Sequence, residues 1–450
     1  MRRQIKLIAS LLLLAVLCFW CASRWDVWFE NPEETPYEPS EIPARILLTF
    51  GDEDGMHNRN ISWTCGQTIQ PSEVEVMDTN DSTIQNISAQ GEVFESRSGK
   101  AAYYAAKLRG LESGHTYLYR VNTGGKKSNW FEFHLPQSHP QETSFLYMGD
   151  IQDSIGGIAN QLLRKAFRRN PDAAFFVCGG DLTERPTDAY WRETFESLDS
   201  VGQSVPVLTV TGNHDYLKGF ICQLERRFSL IHSYFLDSMV GENQVFTVRY
   251  GDIQLFCLDS NREFFYLWTQ RQWLKERLEK SGAKWKIVVL HHPLYSIRGN
   301  MNNLIQRWMF DSLTQKYKVD VVLQGHEHAY ARQHTTLNAQ PSTPVYTVSH
   351  CSPKSYRIEF NERFDKFGSG SRYYQKVHIK GDTLFLTAWD ANENTLYDSL
   401  YIVKQGTSTK LVDAGQDIPE KITFTPDPNN KKDVAFAERI KEYKQRKHIQ

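Results

Sequence analysis

Val319-Asp320-Val321-Val322-Leu323-Gln324-Gly325-His326-Glu327-His328 decides the reading of this chain. An apolar, β-branched run stops at a glycine, and two imidazoles then flank one carboxylate. This is how a buried strand gives way to a loop carrying chemistry. Four earlier segments repeat the pattern: Gly149-Asp150-Ile151-Gln152, Gly180-Asp181-Leu182, Gly212-Asn213-His214-Asp215 and His291-His292-Pro293. Each follows its own apolar or β-branched run. Carboxylate, amide oxygen and imidazole are hard-to-borderline donors suited to Mn, Fe, Zn or Mg. A lone strand-end Asp is more often a cap, and a lone Gly-Asn-His-Asp a turn. Five such segments in order indicate a metal site.

Around these segments the chain alternates strand and helix. Phe145–Met148, Phe175-Phe176-Val177, Val205–Val210, Ile287–Leu290 and Val319–Leu323 read as strands. Ile158, Leu162, Leu163, Ala166 and Phe167 mark one helical face; Tyr190–Leu198, Trp273–Leu278 and Leu304–Leu313 are further helices. Val245–Tyr250 and Ile253–Leu258 form a hairpin about Gly251-Asp252, and Tyr374–His378, Thr383–Trp389 and Ser399–Val403 add strands. The fold class is therefore α/β, with sheets buried between helices. In such sheets, functional groups gather at the carboxyl ends of the strands.

Residues 45–136 differ. Ile46-Leu47-Leu48, Ile61-Ser62-Trp63, Val74-Glu75-Val76, Ala101–Ala105, Tyr117–Val121 and Trp130–Phe133 recur between Gly, Asn and Asp turns, which predicts a small β-sandwich with a structural or docking role. Residues 26–44, with Pro32, Pro36, Pro39 and Pro43, read as an extended linker. The α/β unit that carries the five strand-end segments spans 142–405. The tail, 406–450, has few apolar anchors, and its basic end predicts a short exposed helix with a solvated face.

Lys and Arg total 52 against 53 Asp and Glu, which gives no support to nucleic-acid binding. Arg2, Arg3 and Lys6 precede the apolar Leu7–Ala22, so residues 1–25 have the form of a secretory signal or a retained anchor. Bulky neighbours of Cys18 and Cys21 argue against lipid attachment there. The expectation is an exported protein: periplasmic, secreted or tethered to a membrane through its N-terminus. Cys65, Cys178, Cys222, Cys257 and Cys351 are odd in number and contain no CxxC, which excludes a disulfide framework or a structural zinc site. Neither a Ser/His/Asp set nor His-Glu-x-x-His is present, so acyl and peptide hydrolysis have no support.

Asp150, Asp181, Asn213, His291, His326 and His328 are six donors, before Gln152 and Glu184 are counted. That suffices for two ions sharing one carboxylate. The motifs resemble those of the calcineurin-like metallophosphoesterase superfamily, and within it the purple acid phosphatases. Val289–Tyr295, Gly325–Arg332, Ile61-Ser62-Trp63 and Leu111–Arg120 carry the resemblance. It implies a four-layer α/β/β/α sandwich preceded by a small all-β, fibronectin-III-like or Ig-like sandwich. It further implies Asp150 and His328 on a first divalent ion, Asp181 as the bridge, and Asn213, His291 and His326 on a second. His214 would be the proton donor to the leaving group, with Asp215 either orienting it or forming a turn. The implied reaction is attack on a phosphomonoester by metal-activated hydroxide; two ions about 3.5–4 Å apart acidify a water and clamp phosphoryl oxygens.

The sequence departs from that family at two positions. Three residues past the bridging Asp, where purple enzymes carry a tyrosine, stands Glu184; two residues past the first Asp, where the wider superfamily has a histidine, stands Gln152. A ferric-tyrosinate colour is therefore not expected. Gln152 or, less favourably, Glu184 completes the first shell, and two divalent ions (Mn, Fe, Zn or Mg) are expected. Arg298, Lys354 and Tyr356 are candidate contacts to a phosphorylated small-molecule or polymer substrate, against a plain loop-surface role. The rivals are a phosphodiesterase on the same centre and a non-catalytic surface-binding protein with a degenerate metal site.

Overall fold

The computed structural model describes residues 2–221, 223–234, 244–299, 302–337, 340–406 and 408–449; Cys222 lies outside them. Two seven-stranded sheets stack face to face. In the first, Glu142–Met148, Ala173–Cys178 and Val207–Thr209 run parallel, and Tyr373–Lys380, Thr383–Asp390, Thr395–Gln405 and Ser408–Asp413 extend it antiparallel. In the second, Ile253–Cys257, Trp285–Val289, Val321–Gln324 and Gln340–Val348 run parallel, flanked by Phe246–Tyr250 on one side and by Tyr330–Leu337 and Lys366–Gly368 on the other.

The near-continuous apolar runs follow from burial on both faces. Phe145 and Tyr147 point into the layer between the sheets with Ile287 and Val289. Their neighbours Leu146 and Met148 pack outward with Leu162, Leu163 and Trp191, under helices Ala159–Arg169 and Asp188–Ser197. Val288 and Leu290 likewise pack outward with Trp273, Leu274 and Phe310, under helices Phe264–Lys280 and Leu304–Lys316. The order is helix, sheet, sheet, helix.

The N-terminal unit is a β-sandwich of four and five strands closed over Trp63, Tyr104, Val74, Val121 and Phe133. Polar bonds join it to the catalytic layers: Arg45 reaches Asp188 at 2.7 and 3.0 Å, the Leu48 N–H donates to the Gly202 carbonyl at 2.7 Å, and the Tyr119 hydroxyl to the Gln203 carbonyl at 2.8 Å.

Two expectations are corrected. Residues 26–44, expected as an extended linker, open on a helical turn, Trp25–Phe29, and are docked on the body through the buried Glu34 side chain and Arg227. The tail is not merely solvated. Helix Lys431–Lys447 buries Phe436, Ile440 and Tyr443, with Tyr443 stacked on Phe360 at 4.1 Å. Three aromatic or branched residues at helical spacing suffice to anchor it; their dilution among lysines and glutamates hid the stripe. Cys65, Cys178, Cys257 and Cys351 are buried free thiols. Among the described residues no helix is long and apolar enough to cross a membrane.

Candidate metal centre

All five motif segments leave the carboxyl ends of parallel strands, and the sheet stack brings those ends together. The first sheet delivers oxygens: Asp150 after Glu142–Met148, Asp181 after Ala173–Cys178, Asn213 after Val207–Thr209. The second delivers nitrogens: His291 after Trp285–Val289, His326 and His328 after Val321–Gln324. Donor atoms of Asp150, Asp181 and His291 lie within 4.8 Å of one another. Asn213 Oδ1 lies 3.0 Å from His291 Nε2 and 2.9 Å from His326 Nδ1, and His328 Nε2 lies 3.3 Å from Asp150 Oδ1.

The backbone is bent to achieve this. Asp150, Asp181, His326 and His328 all hold positive φ, at 47°, 53°, 71° and 31°. Left-handed backbone at non-glycine residues is costly and gathers where function over-determines geometry. The neighbouring glycines give the space: a Cβ on Gly325 would strike the Asp150 carboxylate, and one on Gly212 the Asp181 carboxylate. Each carboxylate is also oriented by a backbone donor, Asp150 Oδ2 by the His326 N–H at 2.6 Å and Asp181 Oδ1 by the His214 N–H at 2.8 Å.

The electrostatics are those of donors pressed together. Burial disfavours charge on both His291 and Asp181, yet their mutual attraction holds the imidazole above its ordinary pKa and the carboxyl below its own. Burial and the neighbouring His292 and His291 push His326 down. Gln152 is buried, and neither its side-chain oxygen nor its nitrogen has a hydrogen-bond partner; Asp150 Oδ1 and His328 Nδ1 are likewise without one. Orphaned buried polar atoms beside converging donors require an explanation, and a pair of metal ions would supply one. The donor set fits the group.

His214 Nδ1 lies 2.5 Å from the Glu184 carbonyl, which fixes the ring and leaves Nε2 3.9 Å from Asp181 Oδ2. Asp215 does not orient His214. It is fully buried, with Oδ2 accepting the Gly212 N–H at 2.7 Å and Oδ1 unpartnered, so its part is to shape the turn that presents Asn213 and His214. Glu184 is ion-paired with Lys354 through Oε1. Tyr356 stacks on the His328 ring at 4.2 Å, and the Arg298 guanidinium sits 4.6 Å over Tyr356. The candidate substrate residues thus border the donor set.

Two positioning residues went unread in the sequence. Glu327, between the two histidines, accepts from the Ser296 hydroxyl and the Ile297 N–H at 2.6 Å each, which pins the loop that carries Arg298. His292 pairs through Nδ1 with the Ser260 hydroxyl at 3.0 Å and backs the His326 ring at 4.2 Å. Their position inside two ligand motifs was the available signal.

Residues 143–330 match the calcineurin-like phosphoesterase family, and 43–135 match the purple acid phosphatase N-terminal domain. Residues 143–330 thus form a calcineurin-like phosphoesterase domain behind a purple acid phosphatase N-terminal domain, and the chain is a hydrolase acting on phosphoric ester bonds. A phosphoenolpyruvate phosphatase of Allium cepa is 26% identical over 409 residues, 82% of this chain and 83% of the relative. The Fe(3+)-Zn(2+) purple acid phosphatase 12 of Arabidopsis thaliana is 24% identical over 400 residues, 80% of this chain and 83% of the relative. In fold, a purple acid phosphatase from Lupinus luteus seeds superposes with a TM-score of 0.70 at 16% identity, covering 81% of this chain and 75% of its own; PhoD does so at 0.62 and 14%, covering 91% and 99%. The α/β/β/α sandwich behind an all-β domain is therefore the purple acid phosphatase architecture. A dinuclear metal centre accompanies that family, and a buried Asp150, Asp181 and His291 group able to hold a metal ion is present here.

Proposed function

We propose that this chain is an exported dinuclear-metal phosphomonoesterase. Asp150, His328 and Gln152 would hold one divalent ion, Asp181 would be shared, and Asn213, His291 and His326 would hold the other. Bound there, the ions would supply Lewis-acid charge for the phosphoryl oxygens and acidify a water. Gln152 adds a neutral oxygen and Glu184 is engaged by Lys354, so the first ion gains no phenolate, which favours Mn, Fe, Zn or Mg in divalent form. The buried Asp150, Asp181 and His291 cluster, with Asn213 and His326 against His291, His328 against Asp150, and an orphaned Gln152 side chain two residues on, carries this reading.

The chain's own residues do the remaining work. With Nδ1–H donating to the Glu184 carbonyl, His214 offers Nε2 toward a cleft of about 510 Å³ that it lines together with Asn213. A proton on Nε2 would offset charge on the departing alkoxide. Tyr356 and Arg298 close the His328 side, with the guanidinium available to a phosphate oxygen. Export is supported by the basic-then-apolar start, Arg2, Arg3 and Lys6 before Leu7–Ala22.

His214→Asn tests the assignment. With para-nitrophenyl phosphate, whose leaving group needs little protonation, turnover should fall about tenfold; with an alkyl phosphate it should fall on the order of 10³-fold, at unchanged metal content. Equal losses on both esters would remove His214 from the proton-donor role. Faster turnover of bis-para-nitrophenyl phosphate than of the monoester in the wild type would assign a diesterase instead.

A further inference from the structure

The cleft beside His214 has a second wall that comes from the far N-terminal side of the chain. Asp26, Glu30 and Glu33 line the same cavity of about 510 Å³ as Asn213 and His214. This strap is held at both ends. Upstream, Phe29 packs on Phe220 with ring centroids 4.2 Å apart. Downstream, Glu34 meets Arg227 at 2.8 and 2.7 Å, Arg97 at 3.1 Å and the Asp188 N–H at 2.8 Å, with the Glu34 and Arg227 side chains each only 1% exposed. Between them the Asn31 side chain clasps the Lys218 backbone, accepting its N–H at 2.8 Å and donating to its carbonyl at 3.1 Å. Burying a charged pair so far from its neighbours in sequence is expensive unless fully satisfied, so the strap's seat is specified.

The charges on the two sides of this cleft differ in sign. The body side offers Arg185 and Lys218 together with Glu184, whose carboxylate is ion-paired with Lys354; that wall alone would favour polyanionic esters. The strap sets three exposed carboxylates against them, none with an ion-pair partner among the described residues. A substrate whose phosphate occupies the metal site must lay its alcohol portion in this cleft, because His214 stands at that end.

We propose that residues 26–33 are a specificity element of the active site, which disfavours phosphomonoesters with anionic alcohol portions and favours those with neutral or cationic ones. The inference rests on the phosphomonoesterase reading above. The carboxylates line the same cleft as His214, and exposed charges are screened over about one Debye length, about 10 Å at 0.1 M salt, so the effect is moderate and salt-sensitive.

The test compares kcat/KM for 2-phosphoglycolate and O-phosphoethanolamine, two-carbon esters of opposite charge, with para-nitrophenyl phosphate as reference. The full chain is used as wild type, Glu30→Gln/Glu33→Gln, Glu30→Lys/Glu33→Lys, and Glu438→Lys as a remote charge control. The phosphoglycolate-to-phosphoethanolamine ratio should rise about two- to threefold in the neutral variant and about three- to tenfold in the reversed one, and both rises should collapse at high salt. The Glu438→Lys ratio should match wild type. Ratios unchanged within twofold in both strap variants, while para-nitrophenyl phosphate is still hydrolysed, would overturn the strap's role and leave the phosphomonoesterase reading standing. A wild type that hydrolyses none of the three esters would overturn both.

Discussion

The two stacked sheets contribute unlike halves of one site. From the first come Asp150, Asp181 and Asn213, all oxygen donors; from the second come His291, His326 and His328, all nitrogen donors. The oxygen half is fixed only in part by its own backbone: Asp181 Oδ1 accepts the His214 N–H of the same sheet, whereas Asp150 Oδ2 depends on the His326 N–H from the other. The nitrogen half gains its surroundings from across the gap: His291 Nδ1 reaches the Gly179 carbonyl at 3.0 Å, and the His326 N–H reaches Asp150. A centre built this way is assembled by packing between sheets, so the ions would also brace the two layers against each other.

The sharpest way to break the comparison is to remove the shared donor. Asp181→Asn should lower turnover on the order of 10³-fold or more, because both halves lose their common carboxylate. Next, single losses should separate the two ions. His328→Ala should empty the Asp150 side and His326→Ala the Asn213 side, each leaving about one metal per chain by mass spectrometry and lowering turnover on the order of 10²-fold. If either variant kept both metals, the assignment of that histidine would be wrong.

Packing between the sheets is tested by Leu255→Ala, in the layer they share. This should cost about 2–5 kcal/mol in urea unfolding through the cavity it leaves. Metal stoichiometry at saturating metal should stay unchanged, whereas a loss of metal would mean the halves respond to small shifts of the layer. A smaller effect is expected from His232, buried without charge near the domain boundary. Burial lowers its pKa to about 3. A folded pKa below the unfolded value near 6.5 contributes stability that is present above 6.5 and lost as pH falls toward 3. From pH 7 to 5 the loss should be about 2 kcal/mol, and His232→Phe should abolish that slope; an unchanged slope would place the acid sensitivity elsewhere.

The same contrast explains what the sequence disclosed. Strand ends with Gly149-Asp150 or Gly325-His326 were legible because a buried run that stops at a glycine and a ligand is a local signal. Strand Tyr330–Leu337 passed unread, since Arg332, Gln333, His334 and Thr335 carry little alternation and are held by cross-strand partners. Arg332, for example, is buried against Asp398 and Asp413 far along the chain. Glu34 was likewise illegible: nothing around it announces Arg227, and without that pair the proline-rich segment reads as free. Long-range ion pairs leave no periodic trace.

Metal content by mass spectrometry, on wild type and Asp181→Asn purified side by side, tests the central claim most directly. Two divalent ions per wild-type chain, falling in the variant together with para-nitrophenyl phosphate turnover, is the predicted result. A wild type that holds fewer than two ions after exposure to Mn, Fe and Zn, yet turns over at full rate, would contradict it.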